Sequence, residues 1–341
     1  MKKINEFNAF EKVFKYSDKL NYFFNRHKTL ISLELDLTNL CNNNCPNCTG
    51  IKENPVSLSF EQIKKLVDEF ADVIEAKSII ISGGGEPLIH PDFVKTLYYI
   101  KNKGLKIGLN SNGLSLNEEK AKAIIECCSY FRISLDAGTP EVYKKTHGMN
   151  ESAFFKVLEN IKMFSILKKE LNGNVAFGTG FLTSEMTKPD INNFFRVSKE
   201  SRVDFAQLRP FTGDYTKVNE EFKKAKEIYE DEKFKVTASV HKYACFDDEN
   251  KRSYRRCLGM FFNTVVTADF KVFACLHHRQ KDKYFIGDLN KNTLKELWTS
   301  SRIIDVFNSI DCVECPYFCR NDDINRSLEF IDKEINHKEF L

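Results

Sequence analysis

Three cysteines lie close together near the start of the chain, in the segment LCNNNCPNCTG. Cys41, Cys45 and Cys48 are separated by three and then by two residues. A cubic iron–sulfur cluster takes one thiolate on each of its four irons, so three thiols would leave one iron open to a small chelating ligand. Zinc and coincidence are the alternatives. A structural zinc site takes four protein ligands, and no fourth cysteine or histidine lies nearby in the sequence. The spacing favours the iron–sulfur cluster.

A glycine-rich turn follows in the segment ISGGGEP, which spans residues 81–87. Gly83, Gly84 and Gly85 carry no side chain and would let a ligand approach the backbone closely, and Glu86 adds a carboxylate. A glycine-rich turn after a strand is common, so this segment gains meaning only together with the cysteines.

A second group of cysteines lies in the C-terminal part of the chain and consists of Cys245, Cys257, Cys275, Cys312, Cys315 and Cys319. The segment DCVECPYFCR has a Cys-x2-Cys-x3-Cys spacing that is typical of a metal site, with zinc as the simplest alternative.

Cys127 and Cys128 are different, because they end a predicted helix before a buried strand. Cysteine often serves as a small core residue in such a place.

The elements that must position these residues alternate between strand and helix. Six segments have the strand pattern, at 31–38, 77–83, 105–111, 130–137, 174–183 and 203–210. Helical patterns lie between them, so the sequence predicts an α/β fold with a parallel sheet and outer helices. Six such units favour a partial or complete (β/α) barrel over a doubly wound sheet. The cysteine triad and the glycine turn follow the first two strands, at the end of a barrel that carries active sites.

The alternation breaks after residue 211. We therefore predict an N-terminal helical extension at 1–29, a barrel at 30–212 and a charged connector at 213–244. A cysteine-rich region with short strands and a closing helix is predicted at 245–341.

The composition excludes several classes of partner. The chain has 341 residues and a formal net charge of +3, which is small for its length and gives no reason to expect nucleic acid or a membrane surface. No apolar run approaches the ~20 residues of a membrane span, and the N-terminal segment lacks the apolar stretch of a secretory signal. We expect a cytoplasmic protein, in which the eleven cysteines stay reduced.

In this order and spacing, the cysteine triad and the Gly-Gly-Gly-Glu-Pro segment resemble the radical SAM superfamily. SNG at 111–113 and ISLDAGTPEVYKKTHG at 133–148 are similar to later strand ends of that family. The resemblance implies a partial (β/α)6 TIM-like barrel. It also implies a [4Fe–4S] cluster bound by Cys41, Cys45 and Cys48, with S-adenosylmethionine chelating the open iron.

The resemblance further implies which residues contact S-adenosylmethionine. The glycine turn and its carboxylate would meet the methionine amino group, and two later strand ends would meet the ribose or the carboxylate. These residues are Gly83, Gly84, Gly85 and Glu86 for the turn, and Asn110 and Ser134 for the strand ends. Family members usually carry an aromatic or bulky apolar residue before the third cysteine, where this chain has Asn47. The group that stacks on the adenine therefore stays open.

The C-terminal cysteines resemble the SPASM domain, or its shorter twitch form, which binds auxiliary [4Fe–4S] clusters. The ligands that the resemblance implies are Cys257, Cys275, Cys312 and Cys315, with Cys319 as a possible replacement for one of the last two. The full two-cluster form needs more cysteines than are present here, so one auxiliary cluster is expected. The hairpin before Cys275 carries Phe270 where the family usually has glycine.

Four residues remain as candidates for direct chemistry. Cys245 and Cys319 could return a hydrogen atom to the substrate, the alternative being that they are inert structural thiols. His147 is predicted on the active face of the barrel and is a catalytic candidate, and Arg209 is predicted on the same face.

The implied reaction is reductive cleavage of S-adenosylmethionine to a 5′-deoxyadenosyl radical, which abstracts hydrogen from a polar small molecule. A sugar, cyclitol or nucleotide-linked compound would then be dehydrogenated or epimerised, with a flavodoxin- or ferredoxin-type electron donor. A maturase of a ribosomally made peptide is the alternative. Family members that modify peptides often carry an N-terminal recognition domain, whereas about 29 residues precede the first predicted strand here. An iron–sulfur electron carrier is the third possibility, although it would have no use for an open iron.

Overall fold

The structure is a computed structural model that describes residues 15–21, 29–48, 50, 54–244, 246, 252, 254–316 and 319–332. Ten strands in the described ranges form one sheet. They are β1 (Ser32–Leu35), β2 (Ser78–Ile81), β3 (Lys106–Ser111), β4 (Cys128–Ser134), β5 (Ala176–Thr183), β6 (Phe205–Pro210), β7 (Lys235–Ala238), β8 (Asn263–Val266), β9 (Lys271–Phe273) and β10 (Phe285–Asp288).

The strands follow the order β10-β9-β8-β1-β2-β3-β4-β5-β6-β7. From β1 to β7, each strand pairs in parallel with the next one along the chain, as expected when a helix returns the chain after each strand. On the other side of β1 lies β8, also parallel, and β9 and β10 continue from it as antiparallel strands. The predicted α/β fold with a parallel barrel-like sheet is confirmed.

Twelve α-helices occur in the described ranges. They are α1 (Ser17–Asn21), α2 (Phe60–Asp68), α3 (Phe93–Asn102), α4 (Glu118–Cys127), α5 (Pro140–His147), α6 (Glu151–Glu170), α7 (Ile191–Glu200), α8 (Asn219–Tyr229), α9 (Val240–Ala244), α10 (Leu294–Thr299), α11 (Ser301–Ser309) and α12 (Asp322–Asp332). Polar residues cap the N-termini of several of these helices. Ser59 and Gln62 form a capping box on α2, and Asn117 and Asn150 cap α4 and α6.

The two faces of the sheet differ in chemistry because side chains alternate along each strand. On β4, Phe131 and Ile133 are fully buried, and the Phe131 ring packs 5.0 Å from the ring of Phe164 on α6. Arg132, between them, lies on the opposite face and donates to Gln207 on β6, across β5. The hydrophobic core therefore lies between the sheet and its helices, and the concave inner face of the barrel is polar.

The structure differs from the sequence predictions in two places. The segment 213–244, predicted as a connector, contains α8 and β7, and β7 pairs in parallel with β6 and continues the barrel. The helix predicted through Cys128 ends one residue earlier, and Cys128 begins β4, although both cysteines are buried as expected. The division into domains stays a prediction. None of the helices in the described ranges is long and apolar enough to cross a membrane.

Candidate active site and auxiliary cysteine cluster

The cysteine triad lies on the loop that follows β1. Cys41 and Cys48 are exposed and Cys45 is half-buried. The Cys41 sulfur accepts from the N–H of Asn43 at 3.4 Å, and the Cys48 sulfur accepts from the N–H of Gly50 at 3.3 Å. Backbone donors of this kind stabilise the thiolate form, which is the form that binds iron. Three accessible thiols with such donors fit a cluster that keeps one iron open.

The glycine turn after β2 packs directly against this loop. A side chain at Gly85 would collide with the carbonyl of Leu40, and one at Gly50 would collide with the carbonyl of Gly84. The N–H of Glu86 donates to the Leu40 carbonyl at 2.7 Å and locks the two segments together. The sequence explained the glycines by the approach of a ligand. In the structure they also allow the approach of the cysteine loop itself.

Glu86 ties the turn to the end of β3. Its Oε1 atom accepts from the Ser111 hydroxyl at 2.6 Å and from the N–H of Leu88 at 2.9 Å, and Oε2 accepts from the N–H of Asn112 at 2.7 Å. The side chain is buried, and burial raises its pKa. Both carboxylate oxygens are occupied within the protein. The contact with the methionine amino group that we expected for Glu86 stays a prediction.

The inner face of the barrel is lined by polar side chains on alternate strand positions: Glu34, Asp36, Asn110, Tyr130, Arg132, Gln207 and Arg209. Glycines make room for the larger ones, because a side chain at Gly108 would overlap the Tyr130 ring. A closed barrel usually fills this space with branched apolar residues. A polar interior next to the cysteine loop instead suits a bound polar molecule.

Five of the C-terminal cysteines line one cavity: Cys257, Cys275, Cys312, Cys315 and Cys319. Cys257, Cys312 and Cys319 are buried, and the other two are half-buried. They come from three separate stretches: the segment before β8, the segment after β9, and the loop between α11 and α12. Folding therefore assembles a set of thiols that is scattered in sequence.

Hydrogen-bond donors surround these sulfurs. The side-chain amides of Asn321 and Asn325 lie 3.5 and 3.6 Å from the sulfur of Cys257, and the N–H of Asn321 lies 3.3 Å from that of Cys319. A hydrogen bond from Cys312 lowers the pKa of Cys257. Donors to sulfur are a regular feature of iron–sulfur sites. The chemistry of the cavity fits a cluster held by thiolates.

Two family models match the chain. The model of the radical SAM superfamily matches residues 35–182, and the model of the SPASM iron–sulfur cluster-binding domain matches residues 257–320. The chain is a radical SAM protein with a SPASM domain. It is therefore an enzyme of that superfamily. Its cofactors are a [4Fe–4S] cluster and S-adenosylmethionine, and its SPASM domain binds auxiliary iron–sulfur clusters.

Similar proteins have diverse activities. The chain is 24% identical over 307 residues to the AdoMet-dependent heme synthase of Methanosarcina barkeri, a match that covers 79% of this chain and 82% of that protein. It is 31% identical over 137 residues to the mycofactocin maturase MftC of Mycobacterium ulcerans, covering 38% of this chain and 36% of that protein. The solved structure of anSMEcpe with bound AdoMet and the Cp18Cys peptide has the same fold, with a TM-score of 0.62 at 18% identity over 88% of this chain and 97% of that one.

Buried ion pairs join the SPASM domain to the radical SAM domain. The guanidinium of Arg279 donates to Asp36 at 2.8 Å and to Glu34 at 3.2 Å, and Arg320 donates to Glu34 at 2.7 Å. The side chains of Arg279, Glu34 and Asp36 are 7%, 4% and 2% exposed. A side chain at Gly83 would collide with the Arg279 guanidinium. The same arginine therefore contacts both the first strand and the glycine turn, and no sequence motif predicted this contact.

The remaining predicted residues lie in different places. The Oδ1 atom of Asn110 is buried on the inner face and has no hydrogen-bond partner among the described residues, so it is available to a ligand. The carbonyl of Ser134 accepts from Nε2 of His147 at 3.0 Å. Cys319 lines the auxiliary cavity, and Cys245 lies outside the described residues.

His147 lies behind the cysteine loop rather than in the open site. Its ring is buried and stacks 4.2 Å from the ring of Tyr143, and Nδ1 contacts the Thr146 hydroxyl at 2.8 Å. Its carbonyl accepts from the N–H of Asn44, within the cysteine loop, at 3.1 Å. These contacts give His147 a role in positioning the loop, and its catalytic role stays a prediction.

Proposed function

We propose that this enzyme abstracts hydrogen from a small polar molecule bound on the inner face of its barrel, and that the product is a dehydrogenated or epimerised sugar, cyclitol or nucleotide-linked compound. The observation that carries the proposal is the polar lining between the cysteine loop and the far side of the barrel. Side chains such as Asn110 and Tyr130 can hold hydroxyl groups, which a hydrophobic lining could not do without loss of hydrogen bonds.

We assign different roles to different residues of the site. Cys41, Cys45 and Cys48 would hold the first cluster, which with S-adenosylmethionine supplies the one-electron chemistry needed to break an unactivated C–H bond. The glycine turn and Glu86 hold the loop in place, and we assign Asn110 and Ser134 to contacts with the nucleotide or the substrate. The barrel shields the reacting atoms from water and orients one substrate hydrogen.

The SPASM domain would hold one auxiliary cluster. Cys257, Cys275, Cys312 and Cys315 are the proposed ligands, and Cys319 lines the same cavity and can replace one of them. An auxiliary cluster near the substrate could accept the electron that remains after dehydrogenation. Cys319, one of the two thiols that could return a hydrogen atom in an epimerisation, is buried among these potential ligands.

A peptide substrate is the second candidate. It is supported by the likeness to MftC, a maturase by name, and by the shared fold with anSMEcpe, whose solved structure contains a peptide. The same barrel mouth would then receive one residue of the peptide in place of a free small molecule.

Anaerobic reconstitution of the full chain tests the proposal. We expect about eight irons per chain, four for each cubane, and formation of 5′-deoxyadenosine when a strong reductant and S-adenosylmethionine are added. A low-molecular-mass metabolite fraction should then accelerate this cleavage more than a peptide fraction from the same extract. Acceleration by the peptide fraction alone would favour the maturase, and solvent deuterium in the product would indicate epimerisation through a thiol. Absence of 5′-deoxyadenosine would contradict the reaction as a whole.

A further inference from the structure

Three cations on the inner face of the barrel form no ion pair with an acidic side chain in the described part of the chain. They are Arg132 on β4, Arg209 near the end of β6, and Lys242 on α9. Arg132 donates from Nη1 to the amide oxygen of Gln207 at 2.8 Å, which is a neutral acceptor. The Nε atoms of Arg132 and Arg209 are shielded from solvent and have no hydrogen-bond partner there.

The strand register brings the two arginines to one place. Arg132 crosses β5 at Gly180, where an added Cβ would lie 3.4 Å from its Cδ atom, and so reaches Gln207 on the next strand. Gly180 pairs with Gln207 and Leu182 pairs with Arg209, so Arg209 lies one step further along the same face. A larger residue at position 180 would restrict the path of the Arg132 side chain.

Their charges repel one another. Burial lowers the pKa of Arg132 to about 9, and the nearby charge of Arg209 adds to that effect. Burial lowers the pKa of Lys242 to about 7, with further contributions from Arg209, Arg320 and Arg132. Like charges held together away from water raise the free energy of the folded state unless an anion lies between them.

The nearby acidic side chains are fewer than the cations. Glu34 and Asp36 already pair with two other cations, Arg279 and Arg320. Asp136 is the remaining carboxylate: one of its oxygens accepts from the N–H of Leu182 at 2.6 Å, and its charge partly offsets the lowering of the pKa of Arg132. The inner face thus has more cations than anions to neutralise them.

We propose that Arg132, Arg209 and Lys242 bind an oxyanion of the substrate, a phosphate or a carboxylate group. This deepens the proposed function and rests on it for the identity of the bound molecule as substrate. A guanidinium binds such a group through two parallel N–H donors, and an ammonium adds a point charge. The site would hold the anionic end of the molecule while the opposite end meets the cysteine loop.

Thermal unfolding of the anaerobic holoprotein, without reductant or S-adenosylmethionine, tests this site directly. At equal ionic strength, replacing chloride by pyrophosphate or by citrate should raise the melting temperature by roughly 2 °C or more, because an anion that binds only the folded state stabilises it. A response to pyrophosphate alone indicates a phosphate site, and a response to citrate alone indicates a carboxylate site; either one supports the proposal.

Variants separate binding from a structural role. Arg132→Met and Lys242→Met should melt at a higher temperature than the wild type in chloride, because repulsion is relieved, and should lose the response to the anion. Lys122→Met, at an exposed position of α4, should change neither quantity. An anion response that survives in both variants, or a lower melting temperature of Arg132→Met in chloride, would overturn the proposal.

The acidic residues Asp247 and Asp248 of the chain itself provide the remaining check. If the double variant Asp247→Asn/Asp248→Asn responds to pyrophosphate or citrate while the wild type does not, the cations serve this segment and the proposal is wrong. The assay is independent of catalysis. A protein that binds the anion but never forms 5′-deoxyadenosine contradicts only the reaction, and one that cleaves S-adenosylmethionine without any anion response contradicts only this site.

Discussion

The two groups of cysteines in this protein are built in opposite ways. Cys41, Cys45 and Cys48 share one short loop, and their thiols are exposed or half-buried. The five cysteines of the SPASM cavity are spread from residue 257 to residue 319 and are enclosed by side chains. The triad lies within eight consecutive residues, whereas the second group is brought together from three stretches of the C-terminal part.

This difference follows from what each site must do. A site that receives S-adenosylmethionine must leave one iron and its surroundings accessible, so its thiols lie at the surface of a loop and rely on backbone donors. A site whose irons are all held by the protein gains from enclosure, because burial and side-chain donors to sulfur set its potential. Exposure of the thiols therefore suits the proposed role of the first site, whereas three of the five cysteines of the second site are buried.

Removing one cysteine from each site should have the largest and most unequal effects. We expect Cys45→Ala to lose about four irons per chain and to form no 5′-deoxyadenosine above background. Cys275→Ala should also lose about four irons but retain cleavage of S-adenosylmethionine, because the first cluster remains. Iron analysis and chromatography of the nucleoside measure both quantities.

Cys127→Ala is the matched control, since this buried cysteine lies in neither site and should keep the wild-type iron content and cleavage. Equal loss of cleavage in Cys45→Ala and Cys275→Ala would show that the two sites do not act separately.

The next largest effect is expected at the junction between the two domains. Arg279→Met leaves Glu34 and Asp36 buried and without this partner, and removing one member of a buried ion pair typically costs about 3–5 kcal/mol. The free energy of unfolding in urea, measured on anaerobic protein, should fall by that amount. Lys122→Met, which breaks an exposed pair with Glu118, should change it by less than about 0.5 kcal/mol. Equal effects of the two substitutions would mean that the buried ion pairs at the junction contribute no more to the free energy of unfolding than an exposed pair does.

The smallest effect is expected from the donors to sulfur. Asn325→Asp keeps an oxygen for the N–H of Gly259, 2.7 Å from Oδ1 in the wild type, but replaces the amide that faces Cys257. The reduction potential of the auxiliary cluster should become more negative, while that of the first cluster stays constant. Spectroelectrochemical titration measures both, and Asn192→Asp on α7 serves as the control. A shift of the first cluster instead of the second would show that the assignment of Cys257 is wrong.

The sequence predicted the local features of the fold well. Each of the six predicted strands overlaps an observed strand, because alternating or continuous apolar patterns are determined within a few residues. The two motifs also lie where the strand pattern placed them, on the loops after β1 and β2. The position of Phe270 gives a further case: its φ of +61° lies in the left-handed region that glycine favours, which explains why the family usually has glycine there.

The features that the sequence did not predict depend on contacts between distant residues. The parallel pairing of β8 with β1 joins 263–266 to 32–35, and no local pattern specifies such a partner. The convergence of Arg132 and Arg209 depends on the register of three strands and on a glycine between them. The alternation of polar and apolar residues along β4 and β6 does indicate which side chains share a face. It shows that Arg132 and Arg209 converge only when the concave face of the sheet is known.

The pairing of β8 with β1 has a consequence for the movement of electrons. Backbone hydrogen bonds run without a break from the strand that carries the cysteine triad to the hairpin that leads to Cys275. The cysteines that we propose as ligands of the two clusters are thus connected by one continuous sheet. Because electron-transfer rates fall steeply with distance, a continuous sheet would keep the distance between the two proposed clusters constant and so sustain electron transfer between them.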